Sequence, residues 1–160
     1  MGFIPENPYD PNFMPFCVAV RTVAQHLQKN GQYLLFETGQ ETPTTLIRIF
    51  HDIGTDNLGV NFDPANLIMY GKANPVDALD LLGKYVFDMH AKDGKYPTDG
   101  YTLGQETVLG EGDVNFPSLI KKLQSVNYDR FITIEREIGG ERQIADILTA
   151  KKRLEKWLAD

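Results

Sequence analysis

Four side chains of the kind that bind divalent metal ions lie at the ends of four successive apolar segments. They are Glu37, Asp63, His90 and Glu135, which follow the segments 33–36, 58–62, 85–89 and 131–134. Their separations are 26, 27 and 45 residues. If the segments are parallel strands of one sheet, their carboxyl ends lie along one edge, and the four side chains converge there. Three carboxylates and one imidazole suit Mn²⁺, Mg²⁺ or a catalytic Zn²⁺, whereas a structural zinc site is rich in cysteine.

Each of the four residues has a simpler interpretation when it is taken alone. Glu37 could be a solvated strand-end carboxylate or cap the next helix, and Asp63 begins an Asp-Pro sequence typical of turns. A lone histidine such as His90 is more often structural than a ligand. At the fourth position, two-residue alternation puts Glu135 and Glu137 on the same face of a strand, so either could point inward. The four residues recur at a nearly regular spacing, and four unrelated structural roles would not explain that spacing. The pattern therefore favours the metal site.

The elements that must position these residues alternate between strand and helix. Helices are predicted at 16–29, 43–53, 75–82, 117–126 and 142–158. Residues 94–112 contain six glycines or prolines and predict a long loop, while Phe3-Ile4-Pro5 could be the tail of a short strand. Arg136, between the two glutamates, is expected to point outward. Without the 18 residues 94–111, the separation of 45 becomes 27, so that the repeating unit has a nearly constant length.

A repeating strand–helix unit with polar residues at every strand end predicts an α/β fold of the (β/α) TIM-barrel type. A doubly wound sheet would bind its ligand at a switch point, usually with a G-x-G-x-x-G turn, and no such turn follows a strand here. A complete barrel needs about 250 residues. The 160 residues therefore predict a single domain, residues 1–160, that forms half to five-eighths of a barrel.

Composition and charge exclude several classes of protein. The formal net charge is −6 and no basic run is longer than residues 151–153, so a nucleic-acid partner is not expected. The single cysteine, Cys17, excludes an internal disulfide and suits a reducing compartment. No apolar run approaches the roughly 20 residues of a membrane span, and the start lacks the pattern of a signal peptide. We therefore expect a soluble, cytoplasmic protein.

Five short blocks of sequence carry a family resemblance. The blocks are Phe36-Glu37-Thr38-Gly39, Asn61-Phe62-Asp63, His90-Ala91-Lys92-Asp93, Gly110-Glu111-Gly112-Asp113-Val114 and Ile134-Glu135. In their order and spacing they resemble the sugar phosphate isomerase/epimerase superfamily, the xylose-isomerase-like TIM barrels. The resemblance spans essentially the whole chain but only the C-terminal portion of a typical member. It implies that Glu37, Asp63, His90 and Glu135 are the family's metal ligands.

The resemblance also implies an activity and a substrate class. Members isomerise or epimerise a sugar or sugar phosphate through an enediolate, with a divalent ion and two carboxylates as acid and base, here Glu37 and Glu135. Two positions depart from the family's pattern. Asn66 stands where many relatives have histidine, and Tyr96 stands where those acting on free sugars often have arginine. Asn66 and Lys92 are the remaining candidates for contact with the substrate.

Three further hypotheses follow from the sequence. The apurinic-endonuclease branch shares the barrel, but it holds several metals with many histidines, and this acidic chain has one histidine at a strand end. A truncated half-barrel that binds metal without catalysis is the alternative from a different class. Because a half-barrel leaves two strand edges unpaired, a homo-oligomer, most simply a dimer, is expected.

Overall fold

The structure is a computed structural model and describes residues 4–159. Its helices and strands are, in chain order, α1 (Phe13–Gln28), β1 (Leu34–Glu37), α2 (Pro43–Ile53), β2 (Leu58–Phe62), α3 (Pro64–Met69), α4 (Pro75–Leu82), β3 (Val86–Ala91), β4 (Asp93–Lys95), β5 (Gln105–Thr107), α5 (Phe116–Ser125), β6 (Ile132–Ile134) and α6 (Gly140–Ala159). A single 3₁₀ turn, Gly83–Tyr85, joins α4 to β3.

Four of the strands form a parallel sheet in the order β1-β2-β3-β6. Glu37 is in register with Asn61 across the first strand pair, and His90 is in register with Thr133 across the last. Each of these strands leads into a helix, so the chain contains four strand–helix units, as the spacing predicts. The sheet is open, and its edges are β1 and β6. The prediction of a partial TIM barrel is therefore confirmed.

Local sequence signals begin and end α2, and begin α4, where they were expected. The Thr42 side chain accepts a hydrogen bond from the Thr45 amide at 3.3 Å, and Pro43 occupies the first turn of α2. Gly54 ends the same helix at φ 67°, a left-handed conformation that a side chain would strain. Asn74 caps α4 in the same way as Thr42 caps α2. These signals depend on neighbouring residues alone, which is why the sequence predicts them well.

Several expectations differ from the structure in their details. Helix α1 begins at Phe13 and not at residue 16, the short helix α3 was not predicted, and the expected loop 94–112 contains an antiparallel hairpin, β4 with β5. Strand β3 continues to Ala91, so His90 lies inside the strand and not beyond its end. Ile4 and Pro5 form no strand, while Phe3 lies outside the described residues. The hairpin was missed because its strands are three residues long and show no apolar alternation.

The hydrophobic core lies between the helices and one face of the sheet. Phe36, Val60, Phe62 and Met89 from the strands belong to one buried cluster with side chains from α2, α4 and α5. The opposite face carries the candidate ligands. Phe131, just before β6, is 84% exposed. The expected homo-oligomer stays a prediction. No helix within residues 4–159 combines the length and apolar character needed to cross a membrane.

Candidate metal centre

The open face of the sheet brings the four predicted ligands together at the carboxyl ends of its strands. One nitrogen or oxygen atom from each of Glu37, Asp63, His90 and Glu135 lies within 4.8 Å of the others, and we call this group the candidate metal centre. The Nδ1 atom of His90 is 2.6 Å from Glu135 Oε2, 3.4 Å from Glu37 Oε1 and 3.8 Å from Asp63 Oδ2. The histidine thus stands among all three carboxylates. Glu135, not Glu137, is the member of its pair that enters the group.

Asp63 is fully buried, and its two carboxylate oxygens have different roles. One caps a helix and the other belongs to the candidate metal centre. Its Oδ1 atom accepts the Asn66 amide at 2.9 Å and so caps α3, which explains the Asp-Pro sequence. Its backbone is fixed by the hydroxyl of Thr38, which accepts from the Asp63 amide and donates to the Asp63 carbonyl oxygen. Its Oδ2 atom makes no hydrogen bond and faces His90. The turn-forming and ligand interpretations of Asp63 are therefore compatible.

The orientation of the Asn61 carboxamide bears on which nitrogen of His90 is available to a metal ion. Asn61 Nδ2 lies 3.1 Å from His90 Nε2, and Asn61 Oδ1 is buried without a hydrogen bond. A 180° rotation of the carboxamide exchanges its oxygen and nitrogen at almost no steric cost. If Nδ1 is unprotonated to bind a metal, Nε2 carries the hydrogen and needs an acceptor. An Asn61 oxygen turned toward the ring satisfies both groups.

Three converging atoms at the centre of the group fit a metal ion. Asp63 Oδ2, His90 Nδ1 and Glu135 Oε2 are all buried and make no well-directed hydrogen bond, although His90 Nδ1 is 2.6 Å from Glu135 Oε2 and Asp63 Oδ2 is 3.4 Å from Lys92 Nζ. Buried polar atoms are nearly always hydrogen-bonded in folded proteins, so three such atoms in one place indicate a further partner. A divalent cation between them would satisfy all three at once. Oxygen donors with one imidazole are also the set that Mg²⁺, Mn²⁺ and catalytic Zn²⁺ accept.

The charges around the centre favour a cation. Lys92 is buried, with its Nζ atom 3.4 Å from Asp63 Oδ2, 3.6 Å from Glu135 Oε1 and 3.0 Å from Glu137 Oε2. Lys92 thus contacts three carboxylates, and Glu37 adds a fourth beside His90. Lys92 points inward, as its candidate role requires, but only 2% of its side chain is exposed. It organises the carboxylates, and contact with a substrate stays a prediction.

The same neighbours shift the pKa values of three groups. Contact with the Asp63 carboxylate, against the effect of burial, raises the pKa of His90, and the charges of Glu135 and Glu37 add to it. Burial raises the pKa of Glu135, although the charges of Lys92 and His90 oppose it. Burial lowers the pKa of Lys92, but Asp63 and Glu137 outweigh it and the pKa ends above its ordinary value. Lys92 is therefore a permanent positive charge at neutral pH.

Asn66 lies beside Glu37 at the mouth of a cavity. Its side-chain nitrogen donates to the Thr38 carbonyl oxygen at 3.1 Å and to Glu37 Oε1 at 3.4 Å. The adjoining cavity has a volume of about 420 Å³, and its lining includes Glu37, Asn66 and the ring of Tyr70. Small-molecule sites usually occupy about 300–1,000 Å³. Asn66 is thus placed to touch both a ligand of the centre and an occupant of the cavity.

Asp93 holds the hairpin in place, a role that the sequence did not predict. Its carboxylate accepts backbone hydrogen bonds from Gly94, Gly110, Gly112 and Val114 at 2.8–3.3 Å. A Cβ atom on Gly112 would lie 2.2 Å from Asp93 Oδ1, so only glycine fits there. The signal was the Gly110–Val114 block, whose glycines allow a close approach of the backbone. Sequence spacing alone does not show that this block folds back onto residue 93.

The comparisons with known proteins agree with the fold. The family model described as xylose isomerase-like TIM barrel matches residues 5–158. The chain belongs to this family. The superfamily resemblance inferred from the sequence blocks is thereby confirmed. This xylose isomerase-like chain is also 32% identical, over 118 residues, to an uncharacterized protein from Methanocaldococcus jannaschii, covering 73% of the chain and 37% of the relative.

Two solved structures are similar to this chain over nearly its whole length. It is similar to a xylose isomerase domain protein from Planctomyces limnophilus, with 35% identity and a TM-score of 0.93 over 98% of this chain and 57% of that one. It shares its fold with a D-tagatose 3-epimerase-like protein, with 23% identity and a TM-score of 0.76 over 99% of this chain and 60% of that one. The chain thus spans less than two thirds of the length of these relatives.

Proposed function

We propose that the chain carries the metal-binding half of an isomerase or epimerase that acts on a sugar or sugar phosphate. The observation that supports this most is the convergence of one ligand atom from each of Glu37, Asp63, His90 and Glu135 within 4.8 Å of one another. The fold shared with a D-tagatose 3-epimerase-like protein supports the reaction class. The cavity beside Glu37 supports a small substrate. The proposed cofactor is one Mn²⁺, Mg²⁺ or Zn²⁺ ion.

The proposed chemistry divides between the metal and the protein. A bound divalent ion supplies Lewis-acid stabilisation of negative charge on the substrate oxygens. One of the two glutamates, Glu37 or Glu135, takes the proton from the carbon next to the carbonyl, and the electron pair of that bond forms the enediolate. The other glutamate, as the neutral acid, returns a proton to carbon. Asp63 and His90 hold the ion, and Lys92 keeps the carboxylates at fixed positions.

Isotope exchange with solvent tests the proposed acid and base. In deuterated buffer with Mn²⁺, the wild-type chain should exchange the carbon-bound hydrogen next to the carbonyl of a ketose or its phosphate, measured by mass spectrometry. Glu37→Gln and Glu135→Gln keep the size of the side chain and remove its base, so each should slow exchange about 10²–10⁴-fold. Full exchange in both variants would contradict the proposed mechanism.

The control is metal content, because both glutamates are also proposed ligands. Elemental analysis of each variant should be made on the same sample as the rate. His90→Ala should lose bound metal, and unchanged metal in that variant would refute the His90 assignment. A wild-type chain that holds one metal ion but exchanges no hydrogen with any ketose would favour the alternative function, binding of metal by a half-barrel without catalysis.

A further inference from the structure

The segment that carries Glu135 has little regular structure of its own. Strand β6 has only three residues and lies at the edge of the sheet, and its ladder ends where the Glu135 amide donates to the Ala91 carbonyl oxygen at 3.3 Å. Residues 135–139 then run without helix or strand until α6 begins at Gly140. A metal ligand at the end of so short a strand needs other support if it is to stay in place.

Glu106, on the hairpin strand β5, supplies a direct backbone contact to this segment. Both of its carboxylate oxygens lie 3.1 Å from the amide nitrogen of Glu137, which donates to them. Glu137 is also the residue whose carboxylate reaches Lys92 at 3.0 Å. The hairpin is therefore hydrogen-bonded to the backbone two residues beyond Glu135.

Arg136 ties the same segment to α6 as well as to the hairpin. Its Nη1 atom is 3.0 Å from Glu106 Oε1, and its Nε atom donates to Asp146 Oδ2 at 2.9 Å. The side chains of Arg136, Glu106 and Asp146 are only 8%, 13% and 13% exposed, so water screens these ion pairs little. Arg136 points outward from the site, as expected, but it ends in a buried ion-pair bridge and not in solvent.

We propose that Glu106 is a positioning residue for the candidate metal centre, because it holds the 135–137 segment that carries Glu135. This inference rests on the proposed metal site. The four backbone hydrogen bonds of Asp93 anchor the hairpin, so Glu106 is itself held in place. The segment 94–112, which is an insertion between otherwise similar units, thereby gains a role at the metal centre.

A matched pair of substitutions tests the proposal. Glu111 lies in the same inserted segment and pairs with Arg153 of α6 at 3.0 Å, but it does not touch the 135–137 segment. Loss of a group that orients a metal ligand commonly costs about 10–100-fold in metal affinity. Glu106→Ala should therefore weaken Mn²⁺ binding at least about tenfold, measured by calorimetry, and Glu106→Gln, which keeps one oxygen acceptor, should weaken it less. Glu111→Ala should leave the affinity unchanged.

A second comparison separates positioning from a general loss of structure. If Glu106 acts through Glu135, the Glu106→Gln change should have no further effect on Mn²⁺ affinity in a Glu135→Gln background. An equal loss in both backgrounds, or an equal loss for the Glu106 and Glu111 variants, would overturn the proposal.

Amide hydrogen exchange on the metal-free chain separates this inference from the proposed function. Exchange of residues 135–137 should become faster in Glu106→Ala and stay unchanged in Glu111→Ala. A wild-type chain that binds no Mn²⁺ would refute the metal site, while exchange would still decide whether Glu106 holds the segment. Equal exchange in the wild type and in Glu106→Ala would refute that role as well.

Discussion

Two buried aspartates on the same side of the sheet are used in opposite ways. Asp63 directly follows β2 and Asp93 is the first residue of β4, and the two residues are 0% and 1% exposed. Both oxygens of Asp93 accept backbone hydrogen bonds from the inserted segment. Only one oxygen of Asp63 accepts a backbone hydrogen bond, from the Asn66 amide, and the other makes none and lies 3.4 Å from Lys92 Nζ and 3.8 Å from His90 Nδ1.

The difference shows how a structural carboxylate can be distinguished from a candidate ligand. Asp93 has its charge satisfied by amide dipoles from within the protein, so it needs no external partner. Asp63 is near Lys92, but it shares that ammonium with two glutamates. Burial alone does not separate the two residues. The oxygen that makes no hydrogen bond does, because it is still free to bind a cation, whereas both oxygens of Asp93 are occupied by backbone amides.

The largest expected effect is on metal binding by Asp63. Asp63→Asn keeps the oxygen that caps α3 and replaces the free oxygen by an NH₂ group, which repels a cation. The affinity for Mn²⁺ should fall beyond the 10–100-fold that loss of an orienting partner causes. The free energy of unfolding of the metal-free chain, from urea titration, should change by less than about 1 kcal/mol. A large loss of stability with unchanged affinity would reverse the assignment of the two aspartates.

The next effect is on stability and concerns Asp93. Asp93→Asn turns one acceptor into a donor that meets backbone amides, so the free energy of unfolding should fall by about 2–4 kcal/mol. Urea titration of the metal-free chain measures it, with Asp63→Asn as the matched control for a buried Asp-to-Asn change. If Asp93→Asn is as stable as the wild type, the hairpin does not depend on that carboxylate.

The smallest effect is expected at Asn61. With its oxygen turned toward the ring, Asn61 is the acceptor for His90 Nε2, so Asn61→Leu should weaken Mn²⁺ binding about tenfold, whereas Asn61→Asp, which keeps an acceptor, should not. Nitrogen chemical shifts of the His90 ring at pH 9 should show hydrogen on Nε2 in the wild type and a mixture of tautomers in Asn61→Leu. A ring with hydrogen on Nδ1 in the wild-type chain would contradict the proposed orientation of Asn61.

Much of the fold and part of the candidate site can be predicted from the sequence because they depend on local signals. The caps at Thr42 and Asn74 and the stop at Gly54 need only their neighbours, and strand Leu58–Phe62 has the predicted bounds. The hairpin could not be predicted, since it is held by Asp93 across 17 to 21 residues of chain. The buried bridge of Glu106, Arg136 and Asp146 was missed for the same reason.

The sequence by itself determined that four potential ligands stand at regular intervals at the ends of parallel strands. Regular units in one sheet bring their carboxyl ends together, so the convergence of Glu37, Asp63 and His90 follows from spacing. Only the tertiary structure decided between Glu135 and Glu137, because both have the same alternation and the choice depends on where Lys92 and Glu106 lie. It also decided which carboxylate oxygens and which ring nitrogen converge at the candidate metal centre. Those contacts join residues that are distant in the chain, and no local pattern encodes them.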